Sequence, residues 1–94
     1  MKLRFYEDPI TGAPHIYNHG VTEDEVQDIL TSPCEDRPGQ EGSRIALGRT
    51  RNGRYIRVIY VSDEGTDAIF VITAYELTGK PLTAYRRRRR KKRT

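Results

Sequence analysis

Apolar residues along this chain come in short runs whose spacing switches from strand-like to helix-like and back. Leu3, Arg4, Phe5 and Tyr6 predict a short first strand, closed by Asp8-Pro9 and a Thr11-Gly12 turn. Pro14 then opens about one turn of helix through His15, Ile16, Tyr17, Asn18 and His19, with Gly20 as its stop. Thr22, with Glu25 three residues on, has the pattern of a capping box, and Val21 and Val26 flank it at the spacing of a hydrophobic staple. Glu23, Asp24 and Glu25 place negative charge in the first turn, where the helix dipole favours it. Val26, Ile29 and Leu30 supply the apolar stripe, and Pro33 ends it, so the predicted helix runs from Glu23 to Thr31. Residues 32–42 are acidic, turn-rich and without periodicity, which predicts a long loop.

The second half reads as an antiparallel meander. Asn52-Gly53 lies between two alternating runs and predicts a two-residue hairpin turn. That turn sets Arg51 opposite Arg54, Arg49 opposite Ile56, Leu47 opposite Val58 and Ile45 opposite Tyr60. One face then holds Ile45, Leu47, Ile56, Val58 and Tyr60. The other holds Arg44, Ala46, Gly48, Thr50, Tyr55, Arg57, Ile59 and Val61. After the turn at 63–67, Ala68 to Tyr75 is apolar on both faces and suits a central strand. Thr78-Gly79-Lys80-Pro81 breaks it, and Leu82 to Arg87 suggests one last helical turn.

These elements predict an α+β fold: a small antiparallel sheet of about four strands with one or two short helices packed on one face. With 94 residues, one domain is expected, over residues 1–85, followed by a disordered polybasic tail over 86–94. The single cysteine, Cys34, excludes an internal disulfide. No stretch is long and apolar enough to span a membrane, and the N-terminus turns charged before a signal-peptide core forms, so a cytoplasmic protein without membrane association is expected.

The formal charge of +4 conceals a division. Residues 1–41 sum to −6, residues 42–85 to +2, and the run Arg86 to Arg93 to +8. Eight consecutive cations point to a polyanion, and nucleic acid suits them best. Candidate nucleic-acid contacts are Arg44, Arg51, Arg54 and Tyr85, with Arg86, Arg87, Arg88, Arg89, Arg90, Lys91, Lys92 and Arg93 of the run. Arginines interleaved with Tyr55 also suit phosphate contacts combined with stacking. Tyr75 and Tyr85, near the start of the run, offer further stacking groups, although Tyr75 reads more as a core or rim residue.

His15 and His19 share a helix face but have no persuasive third ligand, so no metal or other cofactor is expected. An imidazole with a pKa near ~6.5 serves acid–base chemistry instead. Metal-free RNA cleavage needs a base for the 2′-hydroxyl, an acid for the leaving oxygen and a cation for the phosphate. His19, Arg49, Arg57 and Tyr55 are the residues that would supply them.

The stretch His15-Ile-Tyr-Asn-His19-Gly20-Val21-Thr22-Glu23-Asp24-Glu25-Val26 resembles the "H-I-x-x-H-G-V-S/T-x-E-E" opening of BrnT-like proteins, within the RelE/ParE-type toxin superfamily. The likeness continues through Gly48-Arg49-Thr50, the strands Ile56 to Val61 and Ile69 to Ala74, and the basic C-terminus. It implies a compact RelE-like α+β fold and an endoribonuclease toxin paired with an acidic antitoxin-like protein. That family usually ends its last strand in Ser-Ala-Arg, whereas this chain has Thr73-Ala74-Tyr75-Glu76. The alternative is therefore a non-catalytic nucleic-acid-binding or protein-interaction protein of the same fold, its affinity supplied by the Arg/Lys tail.

Overall fold

The architecture comes from a computed structural model that describes residues 2–63 and 65–92. Five strands form one mixed sheet: β1 (Lys2–Phe5), β2 (Glu35–Pro38), β3 (Arg44–Arg49), β4 (Tyr55–Ser62) and β5 (Ala68–Glu76), in the spatial order β1-β5-β4-β3-β2. Helix α1 (Glu23–Thr31) and a 3-10 helix (His15–His19) lie between β1 and β2, and α2 (Gly79–Lys92) closes the chain. The α+β class is as expected. The sheet, however, is neither four-stranded nor purely antiparallel.

Two features account for the difference. β1 pairs parallel with β5, Lys2 opposite Ala68 and Phe5 opposite Val71. Parallel neighbours need a crossover, and everything between β1 and β5 supplies it. The acidic segment read as a loop also contributes β2, an edge strand with Glu35 opposite Leu47. Pro38 is tolerated there because an edge strand leaves one row of backbone groups unpaired.

The hairpin register is also one residue away from expectation. Arg49 faces Tyr55, Gly48 faces Ile56, Leu47 faces Arg57 and Ala46 faces Val58. Thr50 N–H donates to the Arg54 carbonyl at 2.8 Å and Gly53 N–H to the Thr50 carbonyl at 2.9 Å, so the turn holds Arg51, Asn52 and Gly53. Gly53 has φ of +90°, while Asn52 stays at negative φ, as in a three-residue loop rather than a two-residue one. The extra residue exchanges the faces of β3. Ala46 and Gly48, not Ile45 and Leu47, meet α1. Gly48 permits this close approach, since a Cβ there would lie 3.3 Å from Ile29 Cδ1.

One face of the sheet thus builds the main core. Val26 and Ile29 of α1, with Ile16 and Val21, pack on Ala46, Ile56, Val58, Tyr60, Val71 and Ala74. Each fully buried valine or isoleucine side chain there contributes roughly 1.5–3 kcal/mol. The capping box of α1 forms as expected: Glu25 N–H donates to Thr22 Oγ1, and Thr22 N–H to Glu25 Oε1, both at 3.1 Å.

Helix α2 packs on the opposite face, so the helices are not all on one side. Leu77 and Tyr85 bury against Leu47, with Ile45, Tyr55, Cys34 and Leu82 around them. This second core also explains why residues 86–92 are helical rather than a solvated tail. Tyr85 is only 2% exposed, and anchoring it to the sheet lets the helix propagate beyond it. No helix among the described residues is long and apolar enough to cross a membrane.

Candidate nucleic-acid interface

The helical pitch of α2 sorts the basic run into different directions. Arg88 turns toward β2, where Nε and Nη2 donate to the Glu35 carboxylate at 2.8 and 3.0 Å. Arg89 Nη1 reaches the Cys34 carbonyl at 3.5 Å. Arg87 is exposed. Arg86, Arg89 and Arg90, three and four residues apart, share a helix face that borders the hairpin. Arg93 and the side chains of Lys91 and Lys92 lie outside the described residues.

Between that helix face and the hairpin runs a cleft of about 430 Å³, lined by Cys34, Arg49, Tyr55, Tyr85, Arg86, Arg89 and Arg90. The Arg49 and Arg86 guanidinium carbons lie 5.4 and 5.1 Å from the centre of the Tyr55 ring. Tyr85 meets the same ring edge-on, with centroids 5.8 Å apart. Burial, with the Cys34 side chain beside it, raises the Tyr85 phenol well above its usual pKa. No described carboxylate lies within ion-pair distance of Arg49, Arg86, Arg89 or Arg90.

The remaining candidate arginines have different settings. Arg44 Nε pairs with Asp36 at 2.8 Å, and the other oxygen of Asp36 accepts from the Tyr60 hydroxyl at 2.5 Å. Arg51 pairs with Asp28 at 3.1 Å. Arg54 Nη1 donates to both oxygens of Glu25, at 2.8 and 2.9 Å, and to the Gly20 carbonyl at 2.9 Å, while Nη2 reaches Glu76 at 3.3 Å. These three are engaged in ion pairs and lie outside the cleft. Arg54 in particular is a structural tie between α1 and the hairpin. Burial raises the Glu25 carboxyl, but the Thr22 N–H, the Asn52 amide and Arg54 together hold it below its ordinary pKa.

A second cluster adjoins the cleft along β4. Register places Arg57 opposite Tyr75, two residues from Tyr55 on the same sheet face. Arg57 Nη1 donates to the Tyr75 hydroxyl at 3.1 Å, and the guanidinium carbon is 5.8 Å from the ring centre. The Tyr75 ring meets His19 edge-on at 6.0 Å, and His19 meets His15 at 5.1 Å. His15 is in turn held by Asp8, 3.6 Å away, and by Asn18 at 3.4 Å. Arg57 Nε is buried without a partner among the described residues.

The four residues expected to act together therefore separate into two neighbouring groups. His19 and Arg57 converge, but on Tyr75; Tyr55 and Arg49 belong to the arginine cleft. Tyr75, which the sequence offered only as a stacking or rim residue, is the side chain that joins His19 to Arg57. Its signal was available only through the β4–β5 register, which depends on a bulge between Ile59 and Tyr60 that no local pattern announces. Among the described residues, no group of three or more His, Cys, Asp or Glu side chains is placed to hold a metal ion.

This arrangement defines a mixed-sheet α+β protein with a cationic cleft beside a histidine–tyrosine–arginine cluster. The chain belongs to the family described as Domain of unknown function (DUF4258), whose model matches residues 16–76. The matched segment contains His19, Arg49, Tyr55, Arg57 and Tyr75; β1 and α2 lie outside it. No curated protein and no solved structure matches the chain.

Proposed function

We propose that this protein is a small, toxin-like RNA-binding protein that cleaves RNA without a metal ion and works in the cytoplasm, paired with an acidic antitoxin-like protein. The observation that carries the binding part is the cleft in which Arg49, Arg86, Arg89 and Arg90 surround Tyr55 with no described carboxylate among them. Guanidiniums suit phosphate oxygens because their N–H donors form a rigid fork, and an aromatic ring beside them suits a base. The resemblance of residues 15–26 to BrnT-like toxins of the RelE/ParE type supports the same reading.

The chemistry falls to the adjoining cluster. His19 takes the proton of the ribose 2′-hydroxyl, whose oxygen attacks the adjacent phosphorus. The Tyr75 hydroxyl accepts from Arg57, which leaves its own proton to pass to the departing 5′-oxygen. Arg57 stabilises the charge that builds on the phosphate. The products are a cyclic phosphate and a free 5′-hydroxyl.

A second reading rests on Tyr75 itself, which stands where BrnT-like proteins usually have an arginine. On that reading the fold binds nucleic acid without cutting it. Incubating purified protein with RNA, with and without ribosomes, separates the two. Cleavage that falls by about 10²-fold or more in His19→Ala and Arg57→Ala supports catalysis. Salt-sensitive binding without cleavage at any dose supports the second reading and removes the first.

A further inference from the structure

The arginine cleft has a chemistry more specific than that of a general RNA track. Among the described residues, the guanidiniums of Arg49, Arg86 and Arg90 donate no hydrogen bond to a protein acceptor, and that of Arg89 reaches only the Cys34 carbonyl. Arg49 and Arg86 are held instead by the Tyr55 ring. Cation–π packing engages the flat face of a guanidinium and leaves its edge donors free. Arg49 is further positioned by the turn, since a Cβ on Gly53 would lie 3.4 Å from its Nη2.

These cations come from two separate elements, β3 and α2, and face one concavity rather than forming a line. The ligand matched to them carries several charges and acceptors on one small group. An internal phosphodiester has one negative charge and two free oxygens. A phosphomonoester has three strong acceptor oxygens and, with a second pKa near ~6, about −1.5 to −2 charges at neutral pH. The cleft, at about 430 Å³, also falls in the size range of small-ligand sites.

We infer that this cleft holds a terminal phosphate of an RNA strand, with Arg49, Arg86 and Arg90 on its oxygens. The chain leads from there along β4 toward Arg57 and Tyr75. This rests on the RNA-binding reading and deepens it: the protein selects strand ends that carry a phosphomonoester over ends that carry a hydroxyl. The 5′ and 3′ termini present the same chemistry, and the experiment tells them apart.

Three oligoribonucleotides of one sequence, with 2′-O-methyl sugars to prevent cleavage, test this by fluorescence anisotropy on the full chain. One has hydroxyls at both ends, one a 5′-phosphate and one a 3′-phosphate. At least one phosphorylated oligonucleotide is expected to bind about tenfold more tightly than the hydroxyl form. The stronger of the two identifies the terminus. Arg49→Ala and Arg90→Ala are expected to remove that preference while weakening the hydroxyl form far less, with circular dichroism confirming that both variants are folded. Inorganic pyrophosphate is expected to compete more strongly with the phosphorylated strand than chloride at equal ionic strength. Equal affinities for all three strands, or a preference that survives in both variants, overturn the terminal-phosphate site and leave RNA binding standing. Absence of binding to any strand at low salt overturns both.

Discussion

Arg88 of α2 grips Glu35 of β2 through two parallel hydrogen bonds, 2.8 and 3.0 Å long. The pair joins the polybasic run to the far edge of the sheet, and Tyr85 pins the same helix one turn earlier. Together they turn a row of repelling cations into one wall of a cleft. Arg88→Ala is expected to destabilise the protein by only about 1 kcal/mol, because the guanidinium is partly exposed. Helical signal by circular dichroism should fall further than the melting temperature, since α2 frays before the main core yields.

Tyr85 makes the larger contribution to that docking. Tyr85→Ala removes the buried ring between Leu47 and Leu77 and is expected to cost about 3 kcal/mol. Tyr85→Phe, which loses only the hydroxyl beside Cys34, should cost about 1 kcal/mol. Urea unfolding of the two variants measures the difference. Equal stabilities for the two would mean that α2 is not anchored through the ring.

Acid stability reports on the Glu25–Arg54 tie. The Glu25 carboxyl lies below its ordinary value of 4.5 in the folded protein, so the unfolded chain binds the proton first as the pH drops. Its contribution is intact above about pH 4.5 and disappears as the pH falls through the lower folded-state value. Glu25→Gln should flatten that acid limb in thermal melts at pH 7 to pH 3 and lower stability at pH 7 by about 2 kcal/mol. The raised Tyr85 phenol acts at the other end: stability declines above about pH 10, where the unfolded chain releases a proton that the folded one retains.

What the sequence could convey follows the range of the interactions involved. Thr22 and Glu25 satisfy each other three residues apart, so the start of α1 was readable locally, as was its end before Pro33. Gly20, at φ of +71°, ends the 3-10 helix where expected. The parallel partnership of Lys2–Phe5 with Ala68–Val71 has no local signature, because it joins the first segment of the chain to the last strand of the antiparallel meander. Composition alone made residues 86–92 look solvated; Tyr85 and Glu35 order them, and both contacts are long-range. The candidate site was legible by residue type more than by grouping. His19, Arg49, Tyr55 and Arg57 are all on the surface strip that the structure assembles, but Tyr75 lies between His19 and Arg57 while Tyr55 stands with Arg49.

The most direct measurement compares RNA affinity against salt for two double variants with the same change in charge. Arg49→Ala/Arg90→Ala removes cations from the cleft, whereas Arg44→Ala/Arg51→Ala removes arginines already paired with Asp36 and Asp28. The cleft variant should lose about 1.4 from the slope of log affinity against log salt, at roughly 0.7 for each single-strand phosphate contact, and the paired variant much less. Equal losses in the two would show that RNA responds to net charge alone, and the cleft would then have no special part in binding.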